Sequence, residues 1–132
     1  MKTERRLFSA LAAAFVMVVP NFSGVHGQTA APGKAAPAYY IAEFELTDRE
    51  ALRPYAERVE STFRPFSGRY IARGGQMDAL EGTAPKSRII IIAFDSLEQA
   101  RAWYHSPAYA EIRPIRQRSG HTDAYIVEGL PK

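Results

Sequence analysis

The sequence contains no cysteine, and this absence removes several classes of function. Without a thiolate there is no cysteine nucleophile, no iron–sulfur ligation and no covalent attachment of a c-type haem. Disulfide bonds are excluded as well, so a folded domain of this sequence is held together by its core or by a partner subunit.

Histidine is nearly as scarce, with three residues in the whole sequence, His26, His105 and His121. His26 lies in a segment that we expect to be removed, as described next. Two remaining imidazoles without any thiolate argue against a zinc or other transition-metal centre. We therefore expect no metal and no bound cofactor.

Residues 1–27 have the pattern of a secretory signal peptide. A basic head, Met1–Arg6, precedes an apolar run from Leu7 to Val19, and small residues follow. An apolar stretch of about 7–15 residues behind a basic head is typical of export signals, whereas a membrane anchor needs roughly 20. We place cleavage after Gly27, with Ala30 as the alternative, and expect a periplasmic or secreted protein that no longer contacts the membrane.

Acidic and basic residues nearly balance once this segment is removed. The sequence has 17 Lys and Arg against 14 Asp and Glu, and residues 1–27 hold three of the former and one of the latter, which leaves 14 and 13 and a net charge of +1. A net charge this small is not typical of proteins that bind nucleic acid or an anionic membrane. We expect neither as a partner.

Residues 28–37, QTAAPGKAAP, are rich in Ala, Pro and Gly, a composition that predicts a flexible linker. The rest, residues 38–132, is predicted to form one small domain. Because a domain of this size buries only about two-thirds of its unfolded surface, association with a second subunit would stabilise it.

Four segments have strand patterns. Alternation over residues 38–46 places Tyr40, Ala42 and Phe44 on one face. The other predicted strands are Arg69–Arg73, Arg88–Phe94 and His121–Glu128. After a turn at Gly74-Gly75, a short return strand is predicted at Met77–Glu81.

Three helices are predicted from caps and apolar spacing. Thr47 or Asp48 caps the first, through Phe63, and we expect its regular part to start late because Pro54 lacks a backbone donor. Asp95 or Ser96 caps the second. Ser106 and Pro107 begin a third, short helix that ends near Arg113, where Pro114 interrupts it.

This order of elements predicts an α+β, ferredoxin-like (split βαβ) antiparallel sheet with helices on one face. The run Ile89–Ile92 places β-branched residues on both faces of its strand, which indicates that both faces are covered. No segment remains to cover the second face, so we expect a second copy related by a two-fold axis, a homodimer.

Several local motifs lie between Phe66 and Tyr109: GRYIARGG, LEG, an apolar strand ending in FDS, and WYHSPAY. With the early Tyr-Tyr pair and Arg116 after Pro114, they resemble the family known as domain of unknown function 1330, within the ferredoxin-like dimeric α/β-barrel superfamily. The resemblance spans nearly all of the predicted domain and implies the same fold. It implies no single reaction, because the superfamily includes cofactor-independent monooxygenases, isomerases, haem enzymes and proteins without known activity.

Two arginines are candidate ligand-binding residues. Arg73 precedes Gly74-Gly75 and offers a guanidinium and open backbone amides to an anion; alternatively, the glycines make a turn and Arg73 is solvated. Arg116, after Pro114, is the second candidate for a carboxylate contact, with a surface salt bridge as the alternative.

The WYHSPAY motif supplies the other candidates. His105 is a candidate catalytic base, because imidazole transfers protons near neutral pH, and Trp103 and Tyr109 are candidates to hold a ring. The alternative is a core Trp, a surface His and a helix cap. We interpret Ser106 as that cap rather than as a nucleophile.

Two pairs of polar residues lie on predicted strands. His121 and Asp123 are two apart on a strand, about 7 Å, so direct pairing should be poor, and we interpret them as the polar face of an edge strand. Glu43 and Glu45 belong to the face opposite Tyr40, either at a polar centre of the barrel or at its rim.

The function expected from these observations is an exported homodimer that binds a small aromatic or carboxylate-bearing molecule between sheet and helices. A cofactor-independent oxygenase or isomerase activity would fit such a pocket. The alternative is a non-catalytic dimer with a structural or ligand-sequestering role.

Overall fold

The structure, a computed structural model, describes residues 33–132. The predicted signal peptide, residues 1–27, lies outside the described residues, as do residues 28–32 of the predicted linker. Within the described range, no helix is long and apolar enough to cross a membrane.

Four strands form one antiparallel sheet, as predicted. They are β1 (Ala38–Leu46), β2 (Arg69–Arg73), β3 (Arg88–Phe94) and β4 (Gly120–Glu128). Their order across the sheet is β2-β3-β1-β4, and every neighbouring pair is antiparallel. The isoleucine-rich β3 and the aromatic β1 occupy the two central positions, where side chains on both strands find neighbours. This is the α+β, ferredoxin-like fold of dimeric α/β-barrel proteins.

The helices are α1 (Arg49–Phe63), α2 (Leu97–Tyr104) and α3 (Pro107–Arg118). Each begins at a side chain that accepts a hydrogen bond from a backbone N–H of the first turn. Asp48 accepts from Ala51, Ser96 from Gln99 and Ser106 from Tyr109. These caps satisfy donors that a helix start leaves free, and all three are capping residues that the sequence predicts.

Two prolines lie inside helices that they were expected to interrupt. α1 is regular from Arg49 despite Pro54, and α3 continues past Pro114 to Arg118, so the late start and the early end were both wrong. Both prolines are exposed, so each carbonyl that loses its intrahelical donor is close to water. The opposite faces of both helices are buried, and this packing keeps the helices continuous.

The predicted return strand at Met77–Glu81 is also wrong, because residues 74–87 form an irregular connection between β2 and β3. Leu80 is 91% exposed and no described strand lies beyond β2 to pair with this segment. An apolar pattern without a neighbour on the sheet does not form a strand.

The core lies between the helices and the sheet, with Trp103 at its centre. Its side chain is completely buried, and its Nε1 donates a hydrogen bond to Thr62 Oγ1 at 3.0 Å. The indole stacks on Phe94 with ring centroids 5.4 Å apart and lies 4.3 Å from the ring of Tyr109. Such contacts add to the apolar area buried, and they anchor α2 and α3 to the sheet.

The opposite side of the sheet, which we term the outer face, has no covering element among residues 33–132. Its apolar side chains include Ile41, which lies opposite Tyr125 in the pairing of β1 with β4. Three large apolar residues are substantially exposed there: Ile71 at 57%, Tyr125 at 53% and Val127 at 44%. The fold therefore has one covered and one bare side.

Candidate functional site

A cavity of about 100 Å³ lies between α1 and the helix-facing side of the sheet. β1 and β3 form its floor and α1 forms one wall. Its apolar lining comes from Ala42, Phe44, Leu52, Ala56, Val59, Ile90 and Ile92. An engineered apolar cavity of about 150 Å³ holds benzene; this space is smaller, so it suits a short chain or part of a ring, with the rest of a ligand beside the exposed Arg73 and Arg88.

Three buried side-chain atoms have no hydrogen-bond partner among the described residues: the Tyr40 hydroxyl, Arg116 Nε and Thr122 Oγ1. All three residues line this cavity. Buried polar atoms are nearly always paired in folded proteins, and an unpaired one costs about 1–3 kcal/mol. Together they give an otherwise apolar cavity several polar atoms that are free to bond to a ligand.

Arg116 is the most unusual member of this group. It is 7% exposed, and no carboxylate in the described part of the chain forms an ion pair with it. Burial acts to lower the pKa of Arg116, but the phenols of Tyr109, Tyr40 and Tyr55 act to raise it, and the net direction is upward. The guanidinium is therefore a charged, buried group without a counter-ion, which is destabilising unless an anion joins it.

The position of Arg116 follows from the continuity of α3. Tyr109, Ile112 and Arg116 are the buried residues of this helix, and their spacing places them on one face. If α3 ended near Arg113, Arg116 would belong to a loop. Because the helix continues past Pro114, the guanidinium lies on the same face as the residues that anchor α3 in the core.

The tyrosines beside Arg116 are neutral hydrogen-bonding groups. Burial is the main cause that raises the pKa of Tyr40, and it likewise raises the pKa of Tyr55 well above its ordinary value. The hydroxyls of Tyr55 and Tyr109 lie 3.5 Å apart. Because their pKa is raised, the phenols of Tyr40 and Tyr55 stay protonated near neutral pH, and they are suited to donate a hydrogen bond to a bound oxygen rather than to remove a proton.

Arg73 and Arg88 line the same cavity from exposed positions. A register shift between Tyr70 and Ala72 places Arg73 opposite Ile90, so the bulge moves Arg73 to the side of the sheet that faces α1. There its Cζ lies 4.9 Å from the centroid of the Tyr70 ring, a cation–π contact.

The structure thus separates the residues predicted for the site. Arg73 and Arg116 line one cavity. Trp103 and Tyr109 are completely buried in the core, and Tyr109 approaches the cavity through its hydroxyl, which is close to Tyr55 and to Arg116. His105 is exposed at the end of α2, with its ring against Tyr104, and is not among the lining residues.

His121 and Asp123 lie within 3.5 Å of each other, Nε2 to Oδ2, with both side chains about three-quarters exposed. β4 is an edge strand, as expected, and this contact is long and lies between exposed groups, in keeping with the expected poor pairing. An exposed pair of this kind contributes little to stability. Among residues 33–132, no group of three metal-ligating side chains occurs.

Sequence reasoning missed Tyr40, Thr122 and Arg88 as site residues. For the first two a signal was available. Thr122 lies opposite Phe44, and both Tyr40 and Thr122 carry a hydroxyl at a position that the alternation assigns to the core. A polar atom at an inward position marks either a buried hydrogen bond or a site.

Comparison with known proteins agrees with this fold. The sequence profile described as Domain of unknown function (DUF1330) matches residues 37–130. No curated protein matches the chain.

Solved structures with a similar fold include the RPA0582 protein of unknown function from Rhodopseudomonas palustris, with a TM-score of 0.58, 16% identity, and coverage of 76% of this chain and 88% of that one. Another is SnoaB, a cofactor-independent oxygenase from Streptomyces nogalater, with a TM-score of 0.54, 9% identity, and coverage of 74% and 97%. At these identities the likeness is one of fold.

Proposed function

The chain belongs to the domain of unknown function 1330 family, and we propose that it is an exported homodimer whose cavity binds a small aromatic or carboxylate-bearing molecule. One observation carries the proposal: the unpaired polar atoms of Tyr40, Arg116 and Thr122 all line one apolar cavity. A carboxylate accepts hydrogen bonds from a guanidinium and from hydroxyls, while a ring or short chain fills the apolar part.

The proposal of a homodimer rests on the outer face. Large apolar side chains exposed side by side on one sheet are typical of an association surface. The same face of a second copy offers a matching apolar surface, and a two-fold axis would bury both at once. The likeness of fold to dimeric α/β-barrel proteins supports this arrangement.

The residues that line the cavity support ligand binding better than they support a catalysed reaction. SnoaB is a cofactor-independent oxygenase, and an analogous activity here would need a group that accepts a proton at the cavity. The ionisable side chains that line it are tyrosines and arginines, which are protonated near neutral pH. His105 lies elsewhere. We therefore propose ligand binding and assign no reaction.

Calorimetric titration of the purified protein tests the binding proposal. Benzoate is the probe and benzamide, which has the same shape without the charge, is the matched control ligand. We expect benzoate to bind about 10-fold or more tightly than benzamide, since a charge-assisted hydrogen bond is worth at least about 1.4 kcal/mol here. Arg116→Gln should remove this preference, and Arg113→Gln, one turn earlier on α3, should not.

Equal affinity for the two ligands, or no binding of either at millimolar concentration, would refute the proposal. Light scattering measures the assembly separately, with a mass of two chains expected. Export is tested by isolating the protein from the periplasmic fraction, where sequencing should find an N-terminus at Gln28, or at Ala31 for the alternative cleavage site.

A further inference from the structure

We propose that the cavity takes a ligand with two acidic groups, one bound by Arg116 at the buried end and the other by Arg73 and Arg88 at the mouth. The proposal rests on the proposed function and narrows it, because it replaces a carboxylate-bearing molecule with a dianion whose acidic groups are separated by a short apolar body.

The first support is the charge of the lining. Three arginines line the cavity, and no Asp or Glu does. None of the three forms an ion pair within residues 33–132, whereas other arginines of the same domain do: Arg53, Arg58, Arg64 and Arg69 each pair with a carboxylate. A concave site with charge of one sign concentrates ions of the other sign.

The second support is the arrangement at the mouth. Arg73 lies opposite Ile90, and Arg88 precedes Ile90 by two positions on the same face of β3. Arg73 and Arg88 are therefore diagonal neighbours, about 7–8 Å apart between their backbones, which is within reach of long side chains. One carboxylate can accept hydrogen bonds from both guanidinium groups.

Each of the two exposed side chains lies against one neighbour. Arg73 lies over the Tyr70 ring. Arg88 lies across Gly74, whose φ is +62°, so closely that a Cβ at that position would meet Arg88 Nε at 2.6 Å. Glycine at 74 thus permits both the turn and the position of Arg88. Two like charges held close together repel each other, and an anion between them would offset that repulsion.

The third support is the separation of these groups. Arg116 belongs to α3, which contacts β4 at one edge of the sheet, while Arg73 and Arg88 belong to β2 and β3 towards the other edge. The residues between the two ends are apolar, including Ala42 and Ile90. A ligand that spans both ends therefore needs an acidic group at each end and a ring or short hydrocarbon chain in the middle.

The experiment compares matched probes of the same carbon skeleton on the full protein by calorimetry: benzoate with isophthalate and terephthalate, and hexanoate with adipate. We expect at least one dicarboxylate to bind about 10-fold tighter than its monocarboxylate, the effect of one added charge-assisted contact. Arg73→Gln and Arg88→Gln should each reduce this ratio towards 1, because the affinity for the dicarboxylate falls more than the affinity for the monocarboxylate. Arg101→Gln, on α2, is the control that removes a charge elsewhere.

The outcomes distinguish the two proposals. If no dicarboxylate binds more tightly than its matched monocarboxylate, the dianion is refuted and the binding function stands. If Arg101→Gln lowers the ratio as much as Arg88→Gln does, the preference arises from overall charge and the mouth site is refuted. If neither probe class binds, the proposed function fails, and the dianion fails with it.

Discussion

Replacing Arg116 with methionine should raise the free energy of unfolding and lower the affinity for benzoate. Methionine has a similar length and no polar atom, so it fills the same space without an unpaired donor. Buried charged groups replaced by apolar ones of similar volume often leave stability unchanged or raise it by about 1–4 kcal/mol. Higher stability together with weaker binding is expected when the replaced residue serves to bind a ligand.

The surroundings of Arg116 set the size of the expected change in the free energy of unfolding. Arg116 Nε is buried without a partner, a cost of about 1–3 kcal/mol, while the loss of the packed hydrocarbon stem is compensated by methionine. We expect the free energy of unfolding to rise by about 1–2 kcal/mol. For a domain of this size, 1 kcal/mol corresponds to about 4–8 °C in Tm. Urea unfolding at one fixed protein concentration measures the first quantity and calorimetry the second.

Arg113→Met is the matched control on the same helix. The Arg113 Nη1 donates to the carbonyl of Tyr104 at 3.3 Å, and its Cζ lies 5.0 Å from the Tyr104 ring. Its replacement should lower the free energy of unfolding by about 1 kcal/mol and leave benzoate binding unchanged. If Arg116→Met lowers stability as Arg113→Met does, or if it still binds benzoate, Arg116 is a structural residue and the reasoning is refuted.

Three further predictions concern other parts of the molecule. Burial raises the pKa of Tyr40, so the stability gained from its protonated phenol is complete below the unfolded pKa of about 10 and falls at higher pH by up to about 1.4 kcal/mol per pH unit. Tyr40→Phe should therefore reduce the loss of unfolding free energy at alkaline pH, measured by urea titration. Equal slopes for the two proteins would contradict the raised pKa. Tyr125→Glu, on the outer face, should give monomers by light scattering where Arg101→Glu leaves dimers, and a dimer that persists argues against this interface. His105→Ala should leave benzoate affinity within about 2-fold, and a larger loss would return His105 to the site.

The four strands of the sheet and the helix caps were predictable because their signals are local. Alternation over residues 38–46 follows from the pleat of a strand, and Ser106 before Pro107 marks a helix start through hydrogen bonds a few residues away. The motifs that resemble the family indicated the same fold. The regular start of α1 ahead of Pro54 and the continuation of α3 past Pro114 were not predictable, since the packing that keeps those helices continuous involves distant residues.

The site depends on such distant contacts throughout. Arg116 is ordinary in the sequence, and it becomes a buried, unpaired cation only because α3 passes Pro114 and packs on the sheet. Arg73 reaches the cavity through a bulge that depends on the pairing of β2 with β3. Neither the continuation of α3 past Pro114 nor the bulge in β2 is marked by a pattern in the neighbouring sequence.

Local chemistry in the sequence was enough for the order of elements, the ferredoxin-like fold, the absence of thiol chemistry and the two arginines as candidates. The tertiary structure alone brought Arg73 and Arg116 to one cavity, added Tyr40 and Thr122, and left His105 and Trp103 out of it. The physical reason is that hydrogen-bonded caps and alternation act over a few residues, whereas burial and the pairing of charges depend on which distant side chains meet.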